Sequence, residues 1–214
     1  MKRFPLLYFV GKFSIFIFAK LFLGLKVVNK HNIPSKGPFI IASNHISGFD
    51  PPLIGTASPR VCHFMAKREL FKNRFFGSIL RRVKAIPVNR SGFDKTVIED
   101  ALNILKAGEG LVLFPEGTRS RDGRLGRMKS GAGMLALRSG ATVVPAHIEN
   151  SIRGLRNRLV GKNVIITFAD PIRPESFGMF SRGKDGYREL ADEIRNRISS
   201  VTGDHHEMEL AING

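Results

Sequence analysis

Residues 94–123, "DKTVIEDALNILKAGEGLVLFPEGTRSRDG", read as a helix, a strand and a loop in direct succession. Asp94 offers an N-terminal cap, and Val97, Ile98, Ala101, Leu102, Ile104 and Leu105 recur at helical spacing until Gly108 supplies a stop. Residues 111–114 then form an unbroken apolar run of strand length. Working outward, similar runs occur at 39–42, 61–65, 85–88, 143–148 and 164–168. A short helical pattern at 133–140 ends on Gly140, and a last amphipathic helix at 187–201 carries Leu190, Ile194 and Ile198 on one face. Strands separated by helices predict an α/β fold with a mainly parallel sheet flanked by helices, whose strand order the sequence leaves open.

The chain has 214 residues, enough for one well-buried domain with a short appendage. Its 34 Lys and Arg against 18 Asp and Glu leave a net charge of +16, so phosphate-rich or acidic partners are attracted at long range. The surplus sits in the front and middle, since residues 1–49 contain no acid and the first carboxylate is Asp50. From Arg60 to Arg90 nine basic residues face only Glu69, a pattern suited to anionic lipid headgroups or an acidic carrier. The single cysteine, Cys62, has no disulfide partner, which fits a reducing compartment.

Residues 4–28 are rich in Phe, Leu and Ile but are interrupted by Lys12 and Lys20, so no stretch approaches the roughly 20 apolar residues of a membrane span. On a helix these two lysines lie about 80° apart, which lets both snorkel to headgroups while the apolar face enters one leaflet. Lys2 and Arg3 before apolar residues imitate a secretory signal, but no small-residue cleavage site follows. A core helix of the globular domain is the plainer alternative. Residues 29–37 make a turn-rich connector with Pro34 and Gly37 as breakers.

Two segments carry chemistry. In "NHISGFDPP", residues 44–52, His45 and Asp50 stand five apart, or about 140° around a helix, so only a loop can bring them together. A carboxylate on one imidazole nitrogen fixes the tautomer and leaves the other nitrogen as a general base. Asp50 before Pro51 is equally an ordinary helix start. No G-x-S-x-G elbow occurs, and Ser43 and Ser47 are too close in sequence to His45 to be comfortable nucleophiles, so the hydroxyl to be activated can come from substrate. The second segment, residues 111–123, emits Pro115, Glu116, Gly117, Thr118 and Arg119 from the carboxyl end of a strand, where α/β sheets bind ligands. Backbone N–H groups of Gly117 and Thr118 with the Arg119 guanidinium suit a phosphate, and Glu116 suits a polyol hydroxyl. A structural turn with a salt-bridged Glu116 and Arg119 is the plainer use, and the loop is not a Walker A motif.

Asn44-His45 with Asp50, followed about seventy residues later by Phe114-Pro115-Glu116-Gly117-Thr118-Arg119-Ser120, resembles the glycerolphosphate and lysophosphatidic acid acyltransferases, with their H-x4-D and F-P-E-G-T-R blocks. "AIPVNR", ending in Arg90, and "VVPAHI", containing Pro145, resemble two weaker blocks, although Pro87 and Asn89 depart from the usual pair in the second. The resemblance runs from about residue 29 to 168. It implies that His45 deprotonates the sn-2 hydroxyl of 1-acylglycerol-3-phosphate, with Asp50 orienting it, and that the acyl group comes from an acyl carrier protein or coenzyme A thioester as co-substrate. It also implies that Arg90 and Arg119 hold the phosphate, Glu116 the glycerol region, and Gly117 and Thr118 the loop, with no metal and no cofactor. A membrane-associated helical anchor (1–28), an acyltransferase domain (29–200) and a flexible tail (201–214) complete the expectation, located at the cytoplasmic face of a membrane with anionic lipid as partner.

Other functions are open at this point. The same family includes enzymes acting on other lyso-lipids or on glycerol-3-phosphate. A hydrolase would pass the acyl group to water, and a nucleic-acid binder would rest on charge alone, without any helix-turn-helix, zinc-finger or RNP signature. His205, His206 and Glu207 lack the spacing of a zinc pair and read as part of the tail.

Overall fold

The computed structural model describes residues 6–88, 95–120 and 122–202. Within them one sheet contains β1 (Lys26–Val28), β2 (Phe39–Ser43), β3 (Cys62–Lys67), β4 (Ala85–Val88), β5 (Gly110–Leu113), β6 (Thr142–Glu149) and β7 (Ile165–Phe168). The order is β1-β7-β6-β2-β5-β3-β4. Strands β6, β2, β5, β3 and β4 are parallel, β7 runs antiparallel to β6, and β1 pairs parallel with β7. Each of the six expected strands is present, β4 at its expected bounds and the others shifted by a residue or two at their ends.

The helices are α1 (Leu6–Leu23), α2 (Asp50–Ala57), α3 (Arg74–Arg82), α4 (Lys95–Lys106), α5 (Gly131–Ser139), α6 (Gly154–Leu159) and α7 (Lys184–Ser200). Every residue of β2 and β5 is buried, because both faces of the sheet are covered. Alternation along β2 divides the core: Ile40 and Ala42 pack with Leu105, Ala136, Leu190 and Ile194 of α4, α5 and α7, whereas Phe39 and Ile41 pack with Leu53 and Ile54 of α2 and Ala19 and Leu23 of α1. Leu190, Ile194 and Ile198 are all fully buried, as their spacing on α7 predicts.

β1 was not expected. Its three residues carry too little pattern to signal a strand, and it is specified by its partner, with Lys26 opposite Ile165 and Val28 opposite Thr167. The sheet therefore begins at Lys26, upstream of residue 29 where the sequence placed the start of the domain.

The N-terminal segment is helical, and α1 packs on α2 and α6. Its Lys12 does not reach outward as the sequence suggested: Nζ donates to the Ser58 carbonyl at 2.6 Å and the Arg60 carbonyl at 3.2 Å, and burial lowers its pKa. Lys20 is exposed. The Tyr8 hydroxyl accepts from the Cys62 N–H, and burial pushes its pKa to about 12. Burial likewise pushes the Cys62 thiol up to about 11, so it stays protonated at neutral pH and is no nucleophile. Arg60 is also structural, donating to the carbonyls of Pro34, Gly37 and Gly108 with its guanidinium 4.5 Å from the Phe39 ring centroid. It therefore leaves the group of basic residues offered to a headgroup. No helix among the described residues is long and apolar enough to cross a membrane.

Truncation of Ile194 removes a fully buried side chain between α7 and the sheet. Ile194→Ala is expected to cost about 2–5 kcal/mol, seen as a lower urea midpoint at unchanged slope. An unaltered midpoint would mean that this face is not packed as described.

Candidate active site

The site forms where β2 and β5 end side by side. Ala42 lies opposite Leu113 in the ladder, so the chain leaving β2 at Ser43 and the chain leaving β5 at Phe114 emerge as neighbours, although about seventy residues separate them in sequence. Asn44 makes the exit from the sheet possible. Its side-chain amide donates to the Ile148 carbonyl at 3.0 Å and accepts from the Ile148 N–H at 2.8 Å, replacing ladder bonds that the departing backbone gives up.

His45 follows, 6% exposed. Its Nδ1 lies 2.9 Å from Oδ2 of Asp50, which is fully buried at the first position of α2. The same Oδ2 accepts the Ile46 and Ser47 N–H groups, each at 2.7 Å, and Oδ1 accepts the Ser151 hydroxyl at 2.6 Å. An ionised carboxylate only accepts, so the imidazole donates from Nδ1 and Nε2 carries the free lone pair. Placement in the first turn of α2 also sets the carboxylate at the positive end of the helix. Of the two uses open to Asp50 in the sequence, the imidazole partner is met, whereas the N-cap is not: the cap is Phe49, Asp50 is the first helical residue, and its carboxylate turns back to the 46–47 N–H groups. The ring of Phe114 stacks on His45 with centroids 4.1 Å apart and planes at 25°, which restricts rotation of the imidazole.

The second loop is locked to the first. Glu116 Oε1 accepts the His45 N–H at 3.0 Å, Glu116 Oε2 accepts the Gly126 N–H at 3.0 Å, and the Ser120 N–H donates to the His45 carbonyl at 2.7 Å. Glu116 thus braces the two loops, a task the sequence did not reveal, and it forms no salt bridge of the kind considered there for Arg119 among the described pairs. Gly117 has φ of 76°, a backbone conformation that favours glycine, and a Cβ there would lie 2.5 Å from Lys129 Nζ, so the ammonium sits directly against this turn. Gly117, Thr118 and Arg119 are exposed. Arg119 points back to the first loop, where its Nη1 is 3.6 Å from the position a Cβ on Gly48 would take. The structure thus gathers His45, Asp50, Glu116, Gly117, Thr118 and Arg119 at one end of the sheet. Arg90 lies outside the described residues, as do Asp94, His205, His206 and Glu207.

Sequence reading missed three contributors. Ser151 stands 101 residues from its partner Asp50, and its only signal is position, just past the end of a parallel strand. Phe114 was visible as part of its motif but not as a ring partner. Lys129 brings an ammonium against Gly117 from a loop with no pattern of its own. Among the described residues no group of His, Cys, Asp and Glu is arranged to hold a metal ion.

Comparison with known proteins gives consistent results. A family model described as Acyltransferase matches residues 24–149, more than half of the chain. The 1-acyl-sn-glycerol-3-phosphate acyltransferase of Bacillus subtilis is 31% identical over 179 residues, covering 83% of this chain and 88% of that protein. The enzyme of the same name from Streptococcus pneumoniae is 30% identical over 149 residues, or 67% of this chain, which spans about half (54%) of that protein. The crystal structure of the 1-acyl-sn-glycerophosphate (LPA) acyltransferase PlsC from Thermotoga maritima superposes with a TM-score of 0.71 at 26% identity, covering 92% of this chain and 80% of that one.

Removing the Ser151 hydroxyl leaves a buried carboxylate oxygen one donor short. Ser151→Ala is expected to lower stability by about 1–3 kcal/mol, and Ser151→Thr, which keeps the hydroxyl, to stay near wild type. Equal melting temperatures for Ser151→Ala and the wild type would take Ser151 out of the network.

Proposed function

The chain belongs to the Acyltransferase family, and on that premise we propose that it moves a fatty acyl group from an acyl thioester to the sn-2 hydroxyl of 1-acylglycerol-3-phosphate, giving phosphatidic acid. One observation carries the reading: an imidazole held through Nδ1 by a buried carboxylate, with no hydroxyl of the described residues bonded to its Nε2. The nearby serines are engaged elsewhere, Ser43 with Asn44, Ser47 with the Phe49 N–H, Ser120 with Asp122 and Ser151 with Asp50. The hydroxyl therefore arrives with the acceptor.

In this mechanism His45 Nε2 takes the proton as the acceptor oxygen bonds to the thioester carbonyl carbon. The carbonyl oxygen gains the charge of a tetrahedral intermediate. Its collapse re-forms the C=O bond and breaks the C–S bond, and the departing thiolate recovers the proton from His45. No acyl-enzyme forms. Asp50 keeps the imidazole in the required tautomer and stabilises it while charged. Arg119 and Arg90 bind the acceptor phosphate, assisted by the backbone of Gly117 and Thr118. Glu116 already accepts two backbone N–H groups, and since each carboxylate oxygen takes more than one bond, a glycerol hydroxyl can join them.

Lipid substrates call for a membrane surface. α1 exposes Leu6, Phe9, Phe13, Phe18, Leu21 and Phe22, an aromatic and aliphatic face suited to one leaflet, with Lys20 free to reach headgroups. This supports attachment to one leaflet of an anionic membrane, which we propose is the cytoplasmic one. The remaining basic residues suit an acidic acyl carrier protein or the phosphates of coenzyme A.

The test is a reaction of purified protein with lysophosphatidic acid and a panel of acyl thioesters, the products separated by mass. Phosphatidic acid is expected, whereas free fatty acid without it would redirect the reading to hydrolysis. His45→Ala should reduce transfer by at least ~10²-fold with folding intact. Arg119→Ala should raise the acceptor KM more than it lowers kcat, because a phosphate grip made equally in ground and transition states is uniform binding. An unchanged KM would remove Arg119 from the site.

A further inference from the structure

Between β6 and β7 the chain makes an excursion over residues 150–163 that contains α6. Asn150 closes its base: its Nδ2 donates to the Asn163 carbonyl at 2.9 Å, and its carbonyl accepts Nδ2 of Asn157 at 2.9 Å. The loop is thus a fixed projection, with Asn150 itself in the left-handed region at φ 60°. What it projects is unusual for a solvent-facing loop. No residue of α6 is buried; Leu155 is 55% exposed, Leu159 86% and Val160 70%. Arg153, Arg156, Arg158 and Lys162 are exposed among them, and residues 150–163 hold no acid. Large apolar side chains interleaved with cations alone complement a surface that is apolar beneath and anionic at its rim.

The loop also packs against the buried side of α1 at its C-terminal end. A Cβ on Gly154 would lie 3.0 Å from Leu23 Cδ2, so the small residue lets the two helices meet. At its other end the loop starts beside Ser151, which holds Asp50.

We propose that the 150–163 loop is a second membrane-contact element, seating Leu155, Leu159 and Val160 at the acyl boundary of an anionic phospholipid leaflet while Arg153, Arg156 and Arg158 meet lipid phosphates. This rests on the membrane reading of α1 given above and extends it to a separate element. Two points of attachment fix orientation where one helix would leave the protein free to roll. With the loop seated, the end of the sheet that carries His45 is held at a defined tilt to the surface from which acceptor arrives.

The test uses the full chain and vesicles of phosphatidylcholine, with and without phosphatidylglycerol. Because Cys62 is buried, a thiol-reactive environment-sensitive fluorophore on Leu159→Cys reports the loop alone. Its emission is expected to shift to the blue on phosphatidylglycerol vesicles and to be quenched by spin label in the lipid chains. Leu159→Ser with Val160→Ser should weaken partition at least about tenfold, since two apolar side chains no longer leave water. Arg156→Gln should weaken binding to anionic vesicles about fivefold and leave binding to neutral ones unchanged. Phe13→Ser with Phe18→Ser is the separate probe of α1. Loss of partition in that variant, with the loop variants binding like wild type and the fluorophore unmoved, would overturn the loop proposal and leave the reading of α1 intact. Absence of any vesicle binding by the wild type would sink both. A loop substitution that changes self-association, or capture of acyl carrier protein, without changing partition would also overturn the proposal.

Discussion

The buried carboxylate of Asp50 is the constraint on which the site depends. It has no access to water and accepts four protein donors, from His45, Ile46, Ser47 and Ser151. A charge so placed is tolerable only when its acceptor positions are met. That requirement shapes the surroundings: the 44–50 loop must curl so that two of its own N–H groups point at Oδ2, and the far end of β6 must deliver a hydroxyl to Oδ1. The orientation of His45 follows, because the imidazole is the remaining donor and only one nitrogen can serve.

A second carboxylate carries that order across the sheet. Glu116 spans from the backbone of His45 to that of Gly126, and Ser120 returns a bond to the His45 carbonyl. The proposed base, His45, and the loop proposed to bind phosphate are thereby parts of one hydrogen-bonded unit. Adjacent parallel strands make this possible, since β2 and β5 release their chains at the same level of the sheet. A loop that positions a phosphate relative to a general base gains most when neither can drift, as reaction rates fall steeply with misplacement of the reacting atoms.

Much of this was legible in the chain, for identifiable reasons. Runs such as 39–42 and 111–113 are apolar throughout because both sheet faces are covered, and α7 shows its buried stripe plainly. His45 and Asp50 could be paired because they lie in one short loop with a glycine and two prolines. β1 escaped notice because three residues specify little without β7 beside them. Ser151 and the bracing role of Glu116 were hidden because both are set by contacts between distant segments, which local spacing does not encode. Lys12 was misread for a related reason: its place within an apolar helix is compatible with lipid or with carbonyls of the same protein, and only packing on the 58–60 turn decides.

The central claim is that Asp50 holds His45 with its proton on Nδ1 and its lone pair on Nε2. Long-range proton–nitrogen correlation of the imidazole, on the folded protein near neutral pH, reads this directly. A protonated Nδ1 beside an unprotonated Nε2, with the Nδ1 proton shifted far downfield by its carboxylate partner, is the predicted result. A neutral ring carrying its proton on Nε2 would contradict the account, because no base would then face the acceptor.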